Sequence, residues 1–206
     1  MSTDAVGQGI ESVAVFPLNV VLFPGGLLPL RIFEQRYLRM VSECMKQQQP
    51  FAVATIIDAG PEAGGVAMTA PIATLARIVD WEQGEDGLLN LVSEGEQRCR
   101  IDELAVEPDQ LLRGRIARLP ENMPRPVPKE LAWTAQLLRD LLEKLGAPYD
   151  RLIHGAPSAD HVAGRLVELL PLPLAEKRAL FDIDDSVERL QRLAGLIKPT
   201  VDEGDN

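Results

Sequence analysis

Apolar residues come in short runs broken by Gly and Pro up to Pro120, and at helical spacing after it. Val15-Phe16-Pro17-Leu18 and Leu27-Leu28-Pro29-Leu30 flank a Pro24-Gly25-Gly26 turn, which predicts two short strands. Phe51 to Ile57 is a β-branched run between Pro50 and the Gly60-Pro61 turn. Ile72 to Trp81 and Leu88 to Val92 flank Gly84-Glu85-Asp86-Gly87 and predict a hairpin. Cys99 to Val106 and Leu112 to Leu119 predict two more strands. One helix interrupts them: Phe33, Tyr37, Met40, Val41, Cys44 and Met45 recur at i, i+4, i+7, i+8, i+11 and i+12. That spacing makes Phe33 and Tyr37 core residues joining helix to sheet. About six strands and one helix in this span imply a small, strongly curved sheet or barrel.

Pro120, Pro124, Pro126 and Pro128 then form a stretch that no helix or central strand can cross. It reads as a stiff connector, with a PxxP-type ligand as the sharper alternative. Leu131, Ala135, Leu138, Leu142 and Leu145 repeat at helical spacing up to Gly146. Ser158 is placed to cap a helix carrying Val162, Leu166, Leu169 and Leu170, and Pro171 and Pro173 end it. A short helix through Leu180-Phe181 follows. Asp185-x-x-Glu188 resembles a capping box opening the last helix. The expected organisation is a β-rich subdomain over 12–120, a connector over 121–128 and a helical subdomain over 129–198. Residues 1–11 and 200–206 are expected to be disordered.

Charge narrows the partners. Net charge is −10, with 16 acids and 10 bases before Pro120 and 15 and 11 after it, so both halves are acidic. Such a surface repels a phosphate backbone, which makes nucleic acid an unfavoured partner. No apolar run approaches a membrane span and no signal-type amino terminus is visible, so the expected location is the cytoplasm. Cys44 and Cys99 then read as reduced thiols rather than a disulfide.

The string Ile32-Phe33-Glu34-Gln35-Arg36-Tyr37, with Pro17, Pro24, Gly25-Gly26 and Pro29 ahead of it, resembles the opening of the Lon protease amino-terminal (substrate-binding) domain family. Gly95-Glu96-Gln97-Arg98-Cys99-Arg100-Ile101 resembles that family's Gly-x-x-Arg-x-x-Ile element, and Leu169 to Leu190 its closing helices. One departure is Ala70-Pro71-Ile72-Ala73-Thr74, where the family usually has Val-Gly-Thr, which suggests a different turn before that strand. The resemblance implies an α+β fold: a PUA-like β-barrel with one amphipathic helix, followed by an α-helical bundle. It also implies a stand-alone, non-catalytic module that captures unfolded or degron-bearing polypeptides, as an adaptor in quality control or beside a protease. The rival is a small-molecule or RNA-binding regulator built on the same barrel.

Candidate chemistry is sparse. There is no Gly-Lys dipeptide, hence no Walker A loop, and no Gly-x-Ser-x-Gly elbow. Ser158 and Lys177 are the nearest approach to a Ser-Lys pair, but a cap and a solvated helix residue explain them. His154 and His161 are seven apart and do not share a helix face, so no metal site or cofactor is expected. Pro17, Pro29, Phe33, Glu34, Arg36, Tyr37, Gly95 and Arg98 read as residues that specify the fold. Phe23, Pro24, Leu27 and Leu28 put apolar side chains on a turn, either as a peptide-capture surface or folded over the end of the barrel.

Overall fold

A computed structural model of the chain describes residues 11–58, 68–153 and 155–197. The expected disorder of residues 1–11 and 200–206 falls, apart from Glu11, outside the described residues. The chain divides between Glu121 and Asn122 into two compact units.

The first unit contains β1 (Glu11–Leu18), β2 (Leu27–Ile32), α1 (Gln35–Gln47), β3 (Phe51–Asp58), β4 (Met68–Gln83), β5 (Leu89–Val106) and β6 (Leu112–Arg118). The strands run β2-β5-β4-β3-β1-β6, with β1 and β3 parallel and the other pairs antiparallel. The expected PUA-like barrel is corrected here. The α+β character stands, but β2 pairs with β5 alone, whereas every strand of a closed barrel has two neighbours. The physical reason is the length of β5. Its 18 residues serve β2 over Leu89–Glu94 and β6 over Cys99–Val106, which curls the sheet without giving β2 a second partner. Pro29 lies in the middle of this edge strand, a position where a residue with no N–H donor discourages further pairing.

Strand alternation buries both faces of the sheet. Ala14, Phe16, Phe51, Val53, Ala76 and Leu91 form one face and pack with Tyr37, Met40, Val41 and Cys44 of α1. Val13, Val15, Ala52, Ala54, Ala73, Leu75, Cys99, Leu112 and Ile116 form the other, a cluster made of strand residues alone. The alanines let the curled strands approach closely there. Phe16 meets Tyr37 with ring centroids 4.2 Å apart.

Two local expectations change. The stretches 88–92 and 99–106 are one continuous strand, because Gly95 pairs within β5 rather than turning the chain. Pro71 lies exposed inside β4, where the register between β3 and β4 slips from Ala54↔Ala73 to Ile56↔Thr69. An irregularity in the ladder is where a strand tolerates proline.

The second unit holds α2 (Ala132–Leu145), α3 (Ala159–Leu169), α4 (Leu174–Phe181) and α5 (Ser186–Ile197). Ser158 caps α3 by accepting from the His161 N–H at 3.2 Å. Asp185 accepts from the Val187 and Glu188 N–H groups at the start of α5. It also takes Arg125 of the proline-rich stretch at 2.5 Å, and Pro126 bridges to Ser158. Two arginines are fully buried and paired: Arg165 with Glu168, and Arg189 with Asp160 and the Leu180 and Ile183 carbonyls. Pairing is what makes such burial tolerable.

Candidate binding groove

The Phe23–Leu28 segment is held down. Thr55 donates to the Val20 carbonyl at 2.7 Å and Thr74 to the Leu22 carbonyl at 2.5 Å. The Gly25 N–H reaches Gly95 O at 2.7 Å, and the Gly95 N–H reaches Gly26 O at 2.9 Å. The approach is so close that a Cβ on Gly95 would lie 2.4 Å from Phe23 O. Phe23 itself is 1% exposed, so its ring is not on the surface. Pro24, Leu27 and Leu28 are half-buried. The tethers lie just ahead of the segment, at Val20 and Leu22, and within it, at Gly25 and Gly26, and the polar partners Thr55, Thr74 and Gly95 are remote in sequence.

Phe33 is corrected in the opposite direction. It is 67% exposed, because α1 begins only at Gln35 with Glu34 as its cap residue. Helical spacing therefore does not carry back to position 33. Tyr37 is buried, and desolvation raises its phenol pKa. Glu34 pairs with Arg36 at 2.7 Å, and the Arg36 guanidinium sits 4.7 Å from the Tyr37 ring centre and donates to the Gln110 carbonyl. Arg98 and Gly95 are buried, Pro17 half-buried and Pro29 exposed.

The apolar surface that is accessible lies elsewhere. A groove of about 510 Å³ runs between the carboxyl end of α1 and β4, walled by Cys44, Met45, Gln48, Gln49, Ile78 and Trp81 among others. This volume falls within the range of small-ligand and peptide side-chain sites. Trp81 is 56% exposed and Met45 41%. A bulge in β4 builds the wall. Ile78 pairs with Ser93 and Asp80 with Val92, leaving Val79 as an extra residue, and Trp81 then comes opposite Leu91 on the α1 side. Bulges re-aim side chains in this way beside binding sites. Burial pushes the Cys44 thiol up to about 11, with Glu43 adding to the shift, so the groove wall carries a neutral thiol rather than a nucleophile. Arg77 is engaged by Glu96 at 2.9 Å and by Glu94. The lining thus offers apolar contact, amide hydrogen bonds and one guanidinium, that of Arg77, already paired with acids.

Elsewhere in this unit most of the arginines are paired with acids. Arg31, Arg100, Arg115 and Arg118 each pair with an acid, and Arg39 and Arg113 share Glu43 and Glu107. Among the described residues of this unit these pairs leave no basic stripe of the kind an RNA backbone needs. In the helical unit Ser158 is occupied as a cap, and Lys177 donates to the Glu168 carbonyl at 2.8 Å. His161 contacts the Leu152 carbonyl through Nε2, and His154 lies outside the described residues. Among the described residues no three His, Cys, Asp or Glu side chains are placed to hold a metal ion, and no helix is long and apolar enough to cross a membrane.

The architecture is therefore a curled sheet unit with one covering helix and an accessible groove, followed in the chain by a helical unit. Residues 12–199 match the family described as the ATP-dependent protease La (LON) substrate-binding domain, and the chain belongs to that family. It is 28% identical over 195 residues to Lon protease 2 of Myxococcus xanthus, covering 91% of this chain and 23% of that protein. The chain thus spans about a quarter of the length of the curated relatives it matches. Among solved structures it resembles a Lon N-terminal domain protein from Xanthomonas campestris, with TM-score 0.73, 31% identity and coverage of 92% of this chain and all of the other. The N-terminal domain of Mycobacterium avium complex Lon protease, 18% identical over 90% of this chain and 97% of that one, shares the fold at TM-score 0.62. The family assignment and the paired arginines leave the RNA-regulator reading without support.

Proposed function

We propose that this domain captures extended apolar segments of unfolded or degron-bearing polypeptides in the groove centred on Trp81 and Met45, and acts in the cytoplasm beside a protease. The observation that carries the reading is an exposed tryptophan and an exposed methionine flanking an apolar groove in a member of a substrate-binding family. Large exposed apolar side chains around a concavity mark binding surfaces, and thioether and indole both adapt to varied partners. Gln48 and Gln49 supply donors and acceptors for a client backbone. In this reading Phe23, Pro24, Leu27 and Leu28 support the sheet behind the site rather than touch the client. Free, buried Cys44 and Cys99 fit a reducing compartment. Clients lose conformational entropy on capture, so affinity is micromolar or weaker.

The test is titration of a permanently unfolded, fluorescently labelled protein with wild type, Trp81→Ala/Met45→Ser and Leu27→Ser/Leu28→Ser. Loss of binding by the groove variant alone supports the assignment. Loss only in the second variant, while it remains folded, moves the site to the tethered segment.

A further inference from the structure

The helical unit contains a cavity of its own, of about 140 Å³. Gln136, Leu138, Arg139 and Leu142 reach it from one face of α2, at the spacing that sets helical side chains next to one another. Ala135 beside them is too small to fill the space. The turn Tyr149–Leu152 and the start of α3 close the other side. There Nε2 of His161 donates to the Leu152 carbonyl at 3.0 Å and holds the turn against the helix. Leu138, Leu142 and Leu152 are buried and make the floor apolar. Arg139 is half-buried in the wall, and among the described residues no carboxylate lines the cavity. Asp140, next along α2, is not on the lining and accepts from the Gln136 amide at 2.7 Å.

We propose that this cavity takes the carboxyl-terminal residue of a polypeptide, with an apolar side chain on the floor and the terminal carboxylate on Arg139. Size decides the first part. An apolar cavity of about 150 Å³ holds one benzene-sized body, whereas sites for drug-sized ligands begin at roughly 300 Å³. One side chain of Leu or Phe size therefore fills it. Charge decides the second part. The half of the chain after Pro120 is acidic, yet the permanent charge on this lining is a guanidinium. Its five N–H donors accommodate a carboxylate alongside the contacts that Arg139 already makes. A free amino acid would bring its ammonium up to the same guanidinium, while a chain end presents an uncharged amide there. The Gln136 side-chain carbonyl is an acceptor for that amide N–H, the Gln136 NH2 being engaged by Asp140. An internal segment carries no carboxylate on the backbone of the residue it buries. This site goes beyond capture in the Trp81 groove and does not depend on it.

Labelled Gly/Ser peptides ending in Leu as the free acid, in Leu as the amide, or in Gln as the free acid test this by fluorescence anisotropy on the full chain. The Leu acid is expected to bind about 10-fold more tightly than either of the others. Arg139→Gln should bring the Leu acid down to the affinity of its amide, and Arg139→Lys should restore part of the difference. Lys144→Gln, which removes an exposed base from α2 away from the cavity, should leave all three unchanged. Equal binding of the Leu acid and its amide would overturn the proposal, and so would an acid preference that survives Arg139→Gln. Isovalerate has the same apolar group and carboxylate without a chain. Its competition at concentrations near the peptide's own Kd would assign the cavity to a small acid and overturn the polypeptide end as its occupant.

Discussion

Two apolar regions of the sheet unit have exchanged the roles that their sequences suggest. Phe23 to Leu28 is a contiguous apolar stretch on a Pro-Gly turn, yet it lies tethered to the sheet with Phe23 buried. Phe33, Met45 and Trp81 are scattered along the chain, and each of them is exposed. What separates them is backbone satisfaction rather than hydrophobicity. Thr55 and Thr74 take up the Val20 and Leu22 carbonyls that lead into the first segment, and Gly95 takes up the Gly25 amide and the Gly26 carbonyl within it, so side chains can be buried there without leaving these polar groups orphaned. The exposed residues sit just before a helix, at a helix end and after a bulge, where regular periodicity fails.

Stability measurements should separate the two regions steeply. Phe23→Ala removes a fully buried ring and is expected to cost about 3–5 kcal/mol in urea unfolding. Thr74→Val keeps the shape but leaves the Leu22 carbonyl unpaired, for a loss of about 1–3 kcal/mol by the same assay. A cost near zero in both would mean that the segment is not tethered as described. Phe33→Ala should lie within about 0.5 kcal/mol of wild type. A large loss there would return Phe33 to the core.

A smaller effect concerns the edge of the unit where α1 meets the turn between β5 and β6. The hydrogen bonds from Arg113 and then Arg39 lower the Glu107 pKa despite partial burial. A carboxyl depressed on folding stabilises above its unfolded pKa, and that contribution is lost as pH falls through the lower folded value. Wild type should therefore lose more stability than Glu107→Gln between neutral pH and acid below the ordinary glutamate range. Parallel slopes for the two proteins would show that the network contributes nothing.

Much of the architecture was legible from spacing and punctuation. Period-two runs with Gly and Pro between them located the strands, and Ser158, Gly146 and Asp185 marked helix ends. Sheet closure was not legible, because it depends on how β5 divides its length between β2 and β6, and neither strand's sequence encodes that division. Helical spacing located Tyr37, Met40, Val41 and Cys44 correctly but was carried one turn too far back at Phe33 and too far forward at Met45. The groove was invisible for a related reason. Trp81 reads as the end of a strand, and only the extra residue at Val79 brings it to the α1 side.

The most direct test uses the indole itself. The chain has two tryptophans, Trp81 and Trp133, so Trp133→Phe leaves Trp81 as sole reporter. Adding a tryptophan-free unfolded polypeptide, with its binding followed independently through a label, should blue-shift Trp81 emission along the same saturation curve as the label. Saturable binding with unchanged Trp81 emission would contradict the assignment of capture to this groove.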